Sequence, residues 1–146
     1  VKDILHGRWN IKETAKKILS SAMKVESTSV GIETGALRNA ILPYLEDEMR
    51  TENQFISIIE CRHGGKKKLD RITWSLQGRM EHGQITFNPD KDWKHFKNQM
   101  LDFPNRLAHD DLLDSLAYID QVSVADFAHT IELEDDWSPM DDVAGY

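Results

Sequence analysis

A cluster of acidic residues late in the chain is the feature best suited to carry chemistry. The stretch from Ala108 to Tyr118 reads AHDDLLDSLAY and contains three carboxylates, Asp110, Asp111 and Asp114. Apolar residues recur around them at helical spacing, and side chains three or four positions apart share a helix face. Two of these acids can therefore reach a single hard divalent cation. Acids at a helix start also cap N–H groups and favour the helix dipole, so metal binding and capping both stay open.

A further acid, Glu33, ends a predicted strand in the first half of the chain. The pattern SVGIE at Ser29–Glu33 predicts this strand, and Thr34 and Gly35 follow it. In open α/β sheets, ligands bind beyond the carboxyl ends of the strands, and a glycine there allows close approach of a backbone or substrate. Taken alone, Glu33 is an ordinary exposed acid. Together with the helix acids it suits two-metal phosphodiester cleavage, which needs carboxylates from different elements.

These acids must be positioned by an alternation of helices and strands. Amphipathic patterns predict helices over about 11–25, 36–49, 69–81 and 110–122, with a kink or break at Pro43, and a further helix that Asp90-Lys91-Asp92 opens and Pro104 ends. Short apolar runs predict strands at Ser29–Glu33, Phe55–Glu60 and Gln84–Phe87, and Ile4-Leu5 resembles the end of another. We expect Trp74, Trp93, Phe96 and Met100 to lie on core-facing sides of their helices, with Leu101 on the same helix face as the last three. The alternation predicts an α/β domain with a largely parallel sheet.

The charge of the chain is unevenly distributed. The formal net charge is −7, and residues 126–146 supply all of it because they contain seven acids and no Lys or Arg. We therefore divide the chain into a domain over 1–125, in which 18 acids balance 18 bases, and an acidic tail over 126–146. The single cysteine, Cys61, excludes an internal disulfide and is expected to be a small buried hydrophobe. No apolar run is long enough to span a membrane, and no signal peptide is evident.

Basic residues are concentrated in one predicted loop that contains two glycines. The cluster comprises Arg62, His63, Lys66, Lys67 and Lys68. Such a loop suits contacts with a phosphate backbone, and a solvated run of charges explains it equally well. His109, just before the acidic helix, is better explained as a capping or orienting group than as a metal ligand.

An ordered set of short motifs resembles the C-terminal nuclease domain of phage terminase large subunits. In chain order the set comprises VGIETG at Val30–Gly35, KLDRI at Lys68–Ile72, GQITF at Gly83–Phe87, Phe103-Pro104, and HDDLLDSL at His109–Leu116. Order and spacing match over about residues 1–122. The last motif is the most specific of the set.

The resemblance implies a fold, an activity and a site. The fold would be RNase H-like (RuvC-like), a mixed α/β sheet with flanking helices, and the activity a Mg²⁺- or Mn²⁺-dependent endonuclease that cuts concatemeric viral DNA during packaging. Glu33 would be the second acid of the catalytic triad. The third would come from Asp110, Asp111 or Asp114, with Asp111 favoured and the others assisting.

The resemblance also implies partners. Double-stranded DNA would be the substrate, with Lys68 and Arg71 in contact with it near the active-site groove. Lys66 and Lys67 of the basic loop, and Arg38 beside Glu33, are further candidates for DNA contact. The terminase small subunit and the portal are further partners expected from the family, and the host cytoplasm is the expected location.

One element of the family pattern has no counterpart. In RNase H-like nucleases the first catalytic aspartate lies on the first strand, and Asp3, just before the first helix, does not correspond to it. We therefore expect an N-terminally incomplete domain with weak activity on its own, and we find no ATP-binding Gly-x-x-x-x-Gly-Lys-[Ser/Thr] loop. A non-catalytic DNA-binding or packaging-assembly module with the same fold is the main alternative. A small-molecule hydrolase using Glu33 and Asp111 lacks a recognisable ligand motif.

Overall fold

The computed structural model describes residues 1–65, 67–105 and 108–124, so the acidic tail and Lys66 lie outside the described residues. Over these ranges the fold is mixed α/β, with five helices and a two-stranded parallel sheet. The elements are α1 (Ile11–Lys24), β1 (Ser29–Glu33), α2 (Ala36–Glu52), β2 (Ser57–Cys61), α3 (Lys68–Glu81), α4 (Lys94–Asp102) and α5 (Asp111–Ala117). Residues 119–124 form a further helical segment directly after α5.

The first core lies between α1 and α2. A capping box starts α1, because the Asn10 side chain accepts from the Glu13 N–H and the Glu13 carboxylate accepts from the Asn10 N–H. Of the kink or break predicted at Pro43, the break does not occur, since α2 runs through this residue. Burial on both sides of Pro43, by Ile41 before it and Leu45 after it, offsets the lost hydrogen bond. This core comprises Ala15, Leu19, Ile41, Leu45 and Met49.

The sheet brings the ends of its two strands to one edge. The strands pair in parallel, with Ser29 opposite Ser57 at one end and Glu33 opposite Cys61 at the other. Parallel pairing is confirmed, although β2 starts after Phe55, which is 69% exposed. Because the carboxyl ends of the strands coincide, the residues that follow Glu33 and Cys61 emerge side by side.

A second core joins α3, α4 and α5. It comprises Ile72, Leu76, Phe96, Leu113 and Ala117. The predicted burial of Trp93 and Phe96 is confirmed, at 9% and 2% exposure. The same prediction is wrong for Trp74, Met100 and Leu101, which are 68%, 41% and 83% exposed, because these residues lie on the sides of α3 and α4 that face away from this core.

Two predicted strand segments are not strands. Residues 84–87 form no strand, and neither do residues 4–5. The alternation that suggested a strand at Gln84–Phe87 has another cause, because Ile85 and Phe87 pack against the second core. In and next to this segment, the Gln84 N–H donates to the Arg79 carbonyl, the Val1 amino group donates to the Thr86 carbonyl, and the Asn88 N–H donates to the Val1 carbonyl.

Gly31 lies where the sheet and the segment after α5 approach most closely. A Cβ at this position would stand 2.5 Å from Val122 Cγ2 and 2.8 Å from Cys61 Sγ. We expect Gly31→Ala to lower the free energy of unfolding by about 1–3 kcal/mol, because the contacts are too short to be absorbed without movement. Urea denaturation measures this change.

Gly78 provides the matched control for that prediction. It is exposed within α3, and nothing lies within 4 Å of an added Cβ. Gly78→Ala is expected to stabilise the protein by roughly 0.5–1 kcal/mol through helix propensity. Equal effects of the two substitutions would contradict the close approach at Gly31.

Candidate functional site

An open cleft at the carboxyl end of β1 contains acids from both halves of the chain. It has a volume of 510 Å³, and its lining residues include Glu33, Asp111, Asp114 and Tyr118. The helix α5 supplies Asp111 and Asp114, while β1 supplies Glu33. Three of the four acids that the sequence singled out, Glu33, Asp111 and Asp114, line this cleft. The fourth, Asp110, is not among the residues that line the cleft.

The α5 carboxylates converge on the ammonium group of Lys68. Lys68 Nζ lies 2.6 Å from Asp110 Oδ1, 3.1 Å from Asp111 Oδ1 and 3.6 Å from Asp114 Oδ2. Burial alone would lower the pKa of Lys68, but the hydrogen bonds to Asp110 and Asp111 outweigh it and leave the pKa raised. Lys68 is therefore fully protonated at neutral pH and supplies a positive charge to the acidic turn.

Asp114 has a second and much more buried partner. Both Arg71 Nε and an Arg71 terminal nitrogen donate to Asp114 Oδ1, at 3.0 and 2.6 Å. The side chains of Arg71 and Asp114 are only 7% and 13% exposed. The Arg71 guanidinium also lies 5.1 Å from the Tyr118 ring centre. These contacts tie α3 to α5 and fix the orientation of the Asp114 carboxylate.

Helix capping does not account for the acid at the start of α5. Asp110 is the N-cap residue, yet its side chain makes no cap hydrogen bond. The Leu112 N–H donates instead to Gln99 Oε1 of α4, at 2.9 Å. The Asp110 carboxylate is directed to Lys68, so its role is in the ion-pair cluster.

Glu33 is the first of three polar side chains in contact with one another, an arrangement that the sequence did not predict. His63 Nε2 lies 2.6 Å from Glu33 Oε1, and the Tyr118 hydroxyl lies 3.2 Å from His63 Nδ1. When His63 is neutral, Nε2–H donates to the carboxylate and Nδ1 accepts from the tyrosine. Burial is the main cause of the raised pKa of Tyr118, so its hydroxyl keeps its proton. These contacts can hold Glu33 in position.

A glutamine fixes the loop that carries His63. Gln121 accepts from the Arg62 N–H and donates to the Arg62 carbonyl, both at 2.8 Å. Tyr118 follows Asp114 by one helical turn, so a helical projection could have placed it on the acid-bearing face. No comparable signal marks His63 or Gln121, because their contacts join segments that are distant in sequence.

The predicted DNA-binding residues divide into three groups. Arg71 and Lys68 are engaged by the α5 acids, and little of the Arg71 side chain is left for a phosphate. Arg38 pairs with Glu60 at 2.7 Å, and its buried Nε has no hydrogen-bond partner. Lys67 is exposed, and Lys66 lies outside the described residues. Lys67 is therefore the clearest candidate for contact with a polyanion.

The cysteine has the predicted character. Cys61 is 1% exposed, and its burial, with a smaller effect of the Glu33 charge, raises the pKa of the thiol. An unfolded chain would ionise this thiol near its ordinary pKa of 9.0, whereas the folded chain retains the proton. The contribution of the protonated, buried thiol to the free energy of unfolding is fully present below pH 9.0 and is lost as the pH rises through the pKa of Cys61 in the folded chain.

We expect the free energy of unfolding to fall above pH 9, and to fall less steeply in Cys61→Ala, as measured by urea titrations at several pH values.

The donor chemistry of the acidic turn suits a hard cation, although its present geometry does not enclose one. Carboxylate oxygens of three aspartates lie within 3.6 Å of one point, the Lys68 nitrogen. Mg²⁺ requires shorter bonds, of roughly 2.0–2.1 Å. Across the described ranges, no three Asp, Glu, His or Cys side chains are arranged to hold a metal ion together. A metal ion would therefore have to replace Lys68 and draw the acids closer.

Comparisons with known proteins add no identification. No family model, curated protein or solved structure matches this chain. No helix in the described part of the chain is long and apolar enough to cross a membrane.

Proposed function

We propose that this chain is a metal-dependent DNA endonuclease domain with an RNase H-like fold, of the kind found in the terminase large subunits that package viral DNA. The observation that carries this proposal is the cleft shared by Glu33, Asp111 and Asp114. Carboxylates from a strand end and from a helix start meet there, as phosphodiester hydrolysis with metal ions requires. The expected substrate is double-stranded DNA in a host cytoplasm, with the small subunit and portal as partners.

The acids at the cleft and the side chains that contact them have proposed roles. Glu33, Asp111 and Asp114, with Asp110 beside them, would hold Mg²⁺ or Mn²⁺, which on binding activates water and neutralises charge on the phosphodiester. Arg71 orients Asp114, because its two hydrogen bonds leave Asp114 Oδ2 directed to the cation position. His63 orients Glu33 through the 2.6 Å contact. Tyr118 positions His63 in turn.

DNA would approach the cleft from the loop between β2 and α3. Arg62 is 74% exposed there, and Lys67 is exposed beside it. Such residues attract phosphates without reading bases, so they would support binding to duplex DNA of any sequence. Lys66 belongs to the same proposed contact by its place in the sequence.

A second candidate is a non-catalytic DNA-binding or assembly module. It is favoured by the basic partners that the acids already have, since Lys68, Arg71 and His63 together engage all four carboxylates. A module of this type would bind DNA through the exposed basic loop. It would show no metal-dependent cleavage.

Nicking of supercoiled plasmid by the purified chain distinguishes the two candidates. The endonuclease proposal predicts slow conversion to the open circle in Mn²⁺, and none in EDTA. Slow conversion is expected because the family's first aspartate has no counterpart here, and loss of one transition-state contact costs on the order of 10²–10³ in rate. DNA binding without any cleavage in Mn²⁺ or Mg²⁺ would support the non-catalytic module instead.

A further inference from the structure

The N-terminal segment, α1 and the start of β1 form a groove of 1090 Å³, on which the proposed function does not draw. The apolar side chains that line this N-terminal groove are Leu5, Trp9, Ile18, Val25 and Val30. Leu5 and Trp9 are 53% and 36% exposed. We propose that the N-terminal groove binds the acidic tail of this same chain, residues 126–146. This inference does not depend on the metal-dependent function proposed above.

The charges of the groove and the tail are complementary. Residues 1–25, which include most of the groove, carry six Lys or Arg residues and only two acids. Residues 26–125 carry more acids than bases, and the tail carries seven acids and no Lys or Arg. The N-terminal segment is thus the part of the chain with an excess of positive charge, and opposite charges favour association of the tail with it.

One lysine of the groove is available to a carboxylate. The charged residues that line the groove are Lys2, Lys17, Lys24, Asp3 and Glu26. Lys24 already pairs with Asp3 at 3.1 Å. The Lys17 ammonium lies 4.8 Å from the centre of the Trp9 ring, and no carboxylate of the described residues forms an ion pair with it. Lys17 and Trp9 therefore offer a charge and an exposed apolar surface side by side, which suits an acidic peptide that also carries apolar side chains.

The tail leaves the described part of the chain beside β1. A Cβ added to Gly31 would stand 2.5 Å from Val122 Cγ2, so Val122 lies directly on this strand. Gly31 follows Val30, which lines the groove, and Ile32 packs on the core between α1 and α2. Successive strand residues face opposite sides of a sheet, so Val122 and α1 lie on opposite faces. The route between them passes the outer edge of β1, where the described residues supply no neighbouring strand.

The tail has the length and the side chains to follow the groove. Twenty-two residues come after Val124. The side of α1 that lines the groove, over residues 14–25, is about 17 Å long, which about five or six extended residues can span. Phe127, Ile131 and Leu133 are separated by even numbers of positions, so an extended segment would direct all three to one side.

A nitroxide label in the tail of the full chain tests the docking. Thr130→Cys supplies the attachment point, because Cys61 is 1% exposed and does not reach the reagent. We expect the label to broaden the amide signals of Thr14 and Ser21, which line the groove, more strongly than the signal of Asp47, which is exposed on α2 outside it. The same chain with the nitroxide reduced gives the reference spectrum.

Charge reversal in the groove should weaken the docking. At the NaCl concentration at which the unsubstituted groove shows half-maximal broadening, Lys2→Glu with Lys17→Glu should reduce the broadening at least about twofold. Each exposed ion pair contributes a factor of about 1.4–5, and reversal adds repulsion. Lys94→Glu with Lys97→Glu makes the same change in net charge at exposed positions of α4. Because these sites lie outside the groove, the broadening should stay within about 1.3-fold.

Substitutions in the tail separate docking from general attraction between charges. Phe127→Ser, Ile131→Ser and Leu133→Ser together keep all seven tail acids. Loss of three apolar side chains from a groove should reduce the broadening at least about twofold as well, because burial of each side chain contributes to binding.

Three results would overturn the proposal. In the first, Thr14 and Ser21 are broadened no more than Asp47, a comparison that needs no substitution in the groove and so also covers variants that fail to fold. In the second, reversal at α4 reduces the broadening as much as reversal in the groove. In the third, the triple serine variant leaves the broadening unchanged. Because no metal ion is present in these measurements, none of these results bears on the proposed endonuclease.

Discussion

Substitution of Arg71 by methionine is expected to lower the free energy of unfolding by about 3 kcal/mol. Removal of one partner from a buried ion pair leaves an uncompensated charge, which typically costs about 3–5 kcal/mol. Asp114 is 13% exposed and would keep only Lys68, 3.6 Å from its other oxygen, as a basic partner. The residual contact places the expected loss at the lower end of that range. Urea denaturation at pH 7 measures it.

Arg79 offers a control from the same helix. It pairs with Asp120, and the two side chains are 39% and 42% exposed. Arg79→Met should cost less than about 1 kcal/mol, because water screens the exposed pair. The double variant Arg71→Met with Asp114→Leu should recover most of the stability lost in Arg71→Met, since no buried charge is left unpaired. Similar losses in Arg71→Met and Arg79→Met would show that the Arg71–Asp114 pair is not a buried one.

Glu33→Gln is expected to reduce Mn²⁺-dependent nicking by at least about 10²-fold. The amide oxygen of glutamine can still accept from His63 Nε2–H, so the local geometry is kept while the negative charge is lost. Interactions that act on transition-state charge are typically worth about 10²–10³ in rate. Initial rates of open-circle formation, with the melting temperature recorded as a check on folding, provide the comparison.

An acid far from the cleft controls for the change in net charge. Asp47 is exposed on α2 and is not among the residues lining the cleft. Asp47→Asn should nick within about twofold of the wild-type rate, because its charge lies outside the site and is screened by salt. Nicking by Glu33→Gln at the wild-type rate would remove Glu33 from the proposed catalytic group.

Local sequence patterns predicted much of the secondary structure. The predicted helix over 11–25 corresponds to α1, and the predicted strand Ser29–Glu33 matches β1. Both carry strong local signals, an amphipathic period with a cap and a β-branched run. The strand predicted at Gln84–Phe87 is wrong. The apolar alternation there reflects packing of Ile85 and Phe87 on the second core, and the two-stranded sheet does not include this segment.

The candidate site could be predicted only in part. The positions of Glu33 and Asp111 follow from general rules, since strand ends and helix starts gather at one edge of an α/β sheet. The basic side chains that engage the acids do not follow from those rules. Lys68 and His63 meet carboxylates far away in sequence, and a sequence alone does not show whether a basic side chain turns to DNA or to an acid of its own chain.

The location of a bound divalent ion shows whether the cleft at the end of β1 is a metal site. Crystals of the chain soaked in MnCl₂, with anomalous diffraction recorded near the manganese edge, would show the ion as a peak. We expect a manganese ion coordinated by Asp111 and Asp114 and within reach of Glu33, with Lys68 Nζ displaced from its present position. The metal site would be contradicted if the crystals show no peak in the cleft at millimolar Mn²⁺, a concentration that saturates weak carboxylate sites. In that case the carboxylates would be well ordered, with Lys68 still between them.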